Sequence, residues 1–133
     1  MVGNPIEHSL SPLIHAAFAR QGGQQIDYRA ERVEVDDFES WVSAFFDTEG
    51  RGLNVTLPFK TRACELADTV SDRARLTGAA NFLTENEAGG IHADNTDGKG
   101  LLTDVTTNAG WNLEGARILV LGAGGAVQGV MPS

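Results

Sequence analysis

Cysteine is nearly absent. Cys64 is the only one among 133 residues, so no intramolecular disulfide and no thiolate metal cluster can form, and a reducing, cytoplasmic setting is expected. Basic residues are scarce as well: ten Lys and Arg stand against eighteen Asp and Glu, a net charge of −8. That balance offers no positive stripe for a nucleic-acid backbone, and no nucleic-acid partner is expected. Long apolar runs are missing. The longest, Ile118–Leu121, is far short of the roughly 20 residues a membrane-crossing helix needs, so no membrane partner is expected. Met1-Val2-Gly3-Asn4-Pro5 has neither the charged nor the apolar region of a signal peptide. His8, His15 and His92 show no metal-ligand spacing, and Asp94-Asn95-Thr96-Asp97 lacks the glycine offset and distant glutamate of a calcium loop. No metal is expected.

What is present is a packable chain: 41% hydrophobic residues, with sixteen glycines spread singly or in pairs. Ser11-Pro12 before Leu13–Gln21 predicts a helix, with Ser11 as cap, Gly22 closing it, and Ile14, Ala17 and Phe18 on one face. Ile26–Ala30 alternates as a strand does, and Val33 and Val35 continue it in the other phase. From Asp36-Asp37 a second helix is expected, with Phe38, Trp41, Val42, Phe45 and Phe46 on its core face. Leu53–Leu57 predicts a strand that Pro58 ends, with a helix after it burying Phe59, Ala63, Leu66 and Ala67. A short helix is expected at Asp72–Leu76. Ala79–Thr84 and Ile91–Asn95 predict an antiparallel pair. Gly98–Ala109 predicts a helix with Leu101, Leu102 and Val105 inward, stopped by Gly110. Arg117–Leu121 predicts a last strand. Strands alternating with helices imply an α/β fold, a mixed and mostly parallel sheet flanked by helices.

Four polar segments lie at strand ends or strand-to-helix turns, where α/β proteins place ligands. Ser9 and Ser11 precede a helix, where hydroxyls and free amides suit a small anion; Ser11 acting only as a helix cap suits the same spacing. Lys60 falls in the first turn of a helix, against the macrodipole. A proton donor and a solvated surface lysine both fit that position. Asp97, beside Asp94, Asn95 and Thr96, is either a helix-capping residue or a carboxylate that pairs with a lysine or accepts from a substrate hydroxyl. Gly122-Ala123-Gly124-Gly125-Ala126 follows a predicted strand and should open a helix, the context of a dinucleotide-binding turn, with Val127 at its third fingerprint position.

Taken together, the motifs GNPIEHSLSP (3–12), GLNVTLPFK (52–60), GAAN (78–81), DNTDG (94–98) and GAGGA (122–126) resemble the shikimate dehydrogenase family in order and spacing along nearly the whole chain. The resemblance implies reversible NADP-linked reduction of 3-dehydroshikimate to shikimate, on the chorismate route to aromatic amino acids. It implies that Ser9 and Ser11 hold the substrate carboxylate. Thr56, Asn81 and Asp97 would bond its carboxylate or ring hydroxyls. Lys60 would donate the proton, with Asp97 holding and tuning it. Gly122, Ala123, Gly124, Gly125 and Ala126 would take the NADP. Phe82 and Gln128 stand where the family usually has Thr and Arg. The implied organisation is a substrate-binding and catalytic domain at 1–100, a linker helix and turn at 101–115, and the incomplete start of a Rossmann-like NADP domain at 116–133. Residues 3–95 are expected to form the compact core, with 116–133 mobile or loosely docked. A chain shortened at both ends, inactive alone, is the corresponding expectation. A quinate/shikimate dehydrogenase, or a non-catalytic small-acid binding module, would keep almost the same motifs.

Overall fold

The computed structural model describes residues 1–48 and 50–131. Its elements run β1 (Val2–Gly3), α1 (Ser11–Gln21), β2 (Glu31–Arg32), α2 (Phe38–Asp47), β3 (Gly52–Asn54), α3 (Lys60–Glu65), β4 (Thr69–Val70), α4 (Asp72–Thr77), β5 (Phe82–Glu85), β6 (Ile91–Asp94), α5 (Asp97–Thr103) and α6 (Gly125–Val130). Four strands form a sheet in the order β3-β5-β6-β4, and β1 pairs with β2. A parallel bridge from Val2 to Val55 joins the two. The outer ladders β1–β2 and β4–β6 are parallel, whereas β3–β5 and β5–β6 are antiparallel. The fold is therefore mixed α/β, and its antiparallel pairs lie at the centre. The predicted hairpin is there, from Phe82 opposite Asp94 to Glu85 opposite Ile91.

The core forms where the sheet meets α2, α3 and α4. Val2, Val33, Phe38, Val42, Leu53, Val55, Phe59, Ala63, Ala74, Ala80, Leu83 and Ala93 are all buried in one cluster. At its centre the Phe38 and Phe59 rings stack at 4.4 Å, nearly parallel at 2°. α4 begins with a true side-chain cap, Ser71 Oγ accepting from Ala74 N, and ends at Gly78 in the left-handed region.

The structure departs from several expectations. Ser11 is the first residue of α1 rather than its cap. Leu10 holds the cap position, and Ser9 Oγ accepts the Ser11 N–H instead. Gly22 keeps right-handed dihedrals, and Gly23 takes the positive φ. The face of α1 carrying Ile14 and Phe18 points outward, at 46% and 58% exposure; Ala19 is the buried residue of that helix. Ile26–Ala30 forms no ladder, because β1 is only two residues long and pairs with Glu31 and Arg32. Asp36 and Asp37 lie in a 3₁₀ turn, Val35–Asp37, before α2 begins at Phe38. The long helix expected from Gly98 ends at Thr103 and continues as a π-helical turn, Asp104–Asn108. Leu101 and Leu102 on it are 51% and 41% exposed rather than inward. Arg117–Leu121 forms no strand: no described segment pairs with it, and Leu119 and Leu121 are more than four-fifths exposed. α6 packs on α4 and α5 and buries Gly129. Pro132 and Ser133 lie outside the described residues.

Asp94 ties the end of β6 to α4. Its Oδ1 accepts from Ser71 Oγ at 2.6 Å and Asn95 N at 2.7 Å, and Arg73 forms a forked ion pair with it. The Arg73 bond, reinforced by Ser71 and Asn95, holds the Asp94 carboxyl below the ordinary aspartate value. A carboxyl lowered on folding stabilises the native state above its unfolded pKa, about 3.9, and loses that contribution as pH falls through the folded value. Asp94→Asn should therefore cost about 1 kcal/mol at neutral pH, since Arg73 is half exposed and screened. The two proteins should converge in urea stability well below pH 3.9. A difference that persists unchanged into acid would contradict this.

Candidate functional site

Lys60 and Asp97 are each the first residue of a helix, α3 and α5. Asp97 suits the positive end of its helix, and Lys60 opposes it. The structure joins them: Lys60 Nζ donates to Asp97 Oδ2 at 2.6 Å, with the two side chains 15% and 26% exposed. Asn81 Nδ2 donates to the other oxygen, Asp97 Oδ1, at 2.7 Å. Three of the predicted site residues thus form one hydrogen-bonded unit, partly open to solvent.

The backbone explains why they converge. Ala80 N donates to Lys60 O at 2.8 Å, and Asn81 N to Asp94 O at 3.1 Å. Val55 N donates to Asn81 O at 2.8 Å. The turn around Asn81 is therefore pinned to the start of α3, the end of β6 and the residue after β3. Asn81 Oδ1 accepts from Thr96 N at 2.9 Å. Beneath them lies Asn95, the buried polar side chain of the core, 2% exposed. Its Nδ2 donates to Thr77 Oγ1 and Ala79 O, and its Oδ1 accepts from Asp97 N at 3.0 Å. Asn95 was legible only as part of a polar motif. Its role as the anchor of Asp97 depends on burial, which a single polar letter does not reveal.

Ser9 and Ser11 form a second group at the start of α1. Ser9 Oγ lies 2.8 Å from Met1 Sδ and accepts from Ser11 N at 3.2 Å. The Tyr28 phenol is raised above its ordinary pKa by burial, with the Ser11 side chain opposing the rise. Tyr28 donates to Asn54 Oδ1 at 2.8 Å and stacks on His15 at 3.9 Å. Tyr28 therefore links α1, through His15, to Asn54 at the end of β3, a contact between distant residues that the local sequence does not show. Thr56 follows β3. A Cβ at Gly3 would lie only 2.5 Å from Thr56 Cγ2, so glycine is required for the two motifs to meet. Among the described residues no direct hydrogen bond joins the serines to Lys60 or Asp97.

The glycine-rich turn precedes α6. Gly122 has φ +125, and Gly124 is the cap residue of α6. Added Cβ atoms at Gly124 and Gly125 would meet nothing within 4 Å, so the backbone of the turn is open to a ligand's approach. A cleft of about 340 Å³ lies nearby, lined by Arg73, Leu76, Thr77, Lys99, Leu102 and Gly129 among others. Neither Lys60 nor Asp97 lines it.

Residues 1–83 match the family model described as the shikimate dehydrogenase substrate binding domain. The shikimate dehydrogenase (NADP(+)) of Alkalilimnicola ehrlichii is 53% identical over the whole chain, which covers 49% of that protein. An Ael1 enzyme from Pseudomonas putida superposes with a TM-score of 0.91 at 50% identity, over 98% of this chain and 48% of that one. The shikimate 5-dehydrogenase of Thermus thermophilus, solved in complex with NADP(H) and shikimate, gives 0.88 at 35% identity, over 97% and 48%. The chain spans about half the length of these relatives. With the family model matching well over half of its residues, this chain belongs to the shikimate dehydrogenase substrate-binding domain family.

Proposed function

We propose that this chain supplies the substrate-holding half of an NADP-dependent shikimate dehydrogenase, which reversibly reduces 3-dehydroshikimate to shikimate. The observation that carries the reading is the 2.6 Å bond from Lys60 Nζ to Asp97 Oδ2, with Asn81 fixing the second oxygen. NADPH, when bound, supplies the hydride that reaches the carbonyl carbon. Lys60 gives its proton to the carbonyl oxygen in reduction and takes it back from the hydroxyl in oxidation. Asp97 aims the ammonium and balances its charge. Asn81 and Thr56 hold ring hydroxyls, while Ser9 and Ser11 hold the carboxylate with neutral hydroxyls and helix-end amides. Gly122 to Ala126 would lie against the pyrophosphate of NADP, with no side chain at Gly124 or Gly125 in its way. In this reading residues 1–100 form the substrate unit, 101–115 a linker and 116–133 the beginning of the nucleotide unit. The lone cysteine and acidic balance fit a cytoplasmic setting.

Calorimetric titration of the chain with shikimate, and separately with NADP, tests the proposal. Saturable shikimate binding is expected. Ser9→Ala should weaken it severalfold and also lower stability by about 1 kcal/mol through the lost Ser11 N–H bond. A chain that takes up no shikimate, or a Ser9→Ala, Ser11→Ala double mutant that binds like wild type, would refute the assignment.

A further inference from the structure

Gly129 is the buried residue of α6. A Cβ at this position would lie 3.0 Å from Asp97 Oδ2, 3.3 Å from Asn95 Nδ2 and 3.6 Å from Asp97 Cβ. Asp97 Oδ2 is the oxygen bonded to Lys60 Nζ, and its partner Oδ1 is bonded to Asn81 Nδ2. The Asp97 N–H is held by Asn95 Oδ1. Asn95 Nδ2 is itself committed to Thr77 and Ala79. The carboxylate can therefore retreat from an added methyl only by lengthening one of these bonds. Gly124 and Gly125 differ, because side chains there would point into open space. Glycine inside a helix is less favourable than alanine, so its place at 129 calls for a packing reason, and the backbone-to-carboxylate approach is that reason.

We propose that Gly129 is a positioning residue. It lets the helix that follows the glycine-rich turn close onto Asp97 at backbone distance and hold the carboxylate against Lys60. The helix expected to meet the nucleotide thereby also sets the geometry of the acid–base pair. The consequence for substrate rests on the shikimate reading above; the packing relation does not.

NMR of the isotopically labelled chain tests it, with the Lys60 ¹³Cε and Asp97 ¹³Cγ signals as reporters and shikimate as the probe ligand. In the wild type, nuclear Overhauser effects should join Gly129 Hα to Asp97 Hβ. Gly129→Ala should move both reporter signals and weaken shikimate binding about three- to tenfold, the net worth of one hydrogen bond. Gln128→Ala, at the exposed neighbouring position, should leave both signals in place. A purely structural glycine would instead give unchanged reporters and a higher melting temperature, because alanine favours helix. That result overturns the proposal, as does the absence of the Gly129–Asp97 Overhauser effects, which needs no variant. If the wild type binds no shikimate, the functional reading fails, while the reporters and Overhauser effects still decide the role of Gly129.

Discussion

Lys60→Ala, in a protein joining this chain to the C-terminal half of a full-length relative, should lower kcat by about 10²–10⁴-fold, the usual contribution of a positioned general acid–base group. KM for shikimate should rise far less. The expectation follows from placement. Lys60 opposes the dipole of α3, so the position is costly for a lysine that serves only the fold. Its ammonium is largely enclosed and held by Asp97 Oδ2 at 2.6 Å. Asp97 faces Asn81 and Asn95 on its other sides, so removing Lys60 leaves the carboxylate bonded and the fold standing. Steady-state kinetics in both directions, with a melting curve as control, checks this. A variant with near-normal kcat would remove Lys60 from the chemistry.

Phe59→Ala should cost about 3–5 kcal/mol of stability, the range for deleting a buried phenylalanine ring. Phe59 is fully buried and stacks on the equally buried Phe38. Arg62 extends across the other ring, its guanidinium carbon 5.6 Å from the Phe38 centroid. Phe59 also immediately precedes α3, so the cavity would open one residue from Lys60. Against a typical stability of about 5–15 kcal/mol, such a loss leaves a marginal protein. Phe59→Leu should recover part of it by keeping most of the apolar volume. Urea unfolding measures both. An Ala variant within about 1 kcal/mol of wild type would show that the stack is not the centre of the core.

Much of this was legible in the residues. The periodic face of α2, the hairpin of β5 and β6, and the Ser71-capped α4 each carry local signals strong enough to survive tertiary packing. The Lys60–Asp97 meeting could be expected from two polar residues at strand-to-helix turns. What the sequence misjudged has a common physical origin. Ile14 and Phe18 are expected on one face, Leu101 and Leu102 inward and Ile118–Leu121 in a strand because they are apolar, yet periodicity reports a face and not what covers it. Tyr28 was expected in a strand. Its ring instead stacks on His15 and its hydroxyl serves Asn54, long-range contacts with no trace in local alternation. Gly129 and Asn95 show the same limit for single residues: a close approach and a buried anchor are properties of neighbours distant in the chain.

Where shikimate settles is the most direct test of the proposed site. A residue-resolved titration, following backbone amides and the Lys60 side chain of the labelled chain as shikimate is added, would show it. The predicted result is one saturable set of shifts centred on Ser9, Ser11, Thr56, Lys60, Asn81 and Asp97, lost together in the Ser9→Ala, Ser11→Ala double mutant. Saturable shifts confined to the cleft between α4, α5 and α6, or no shifts at all, would contradict it.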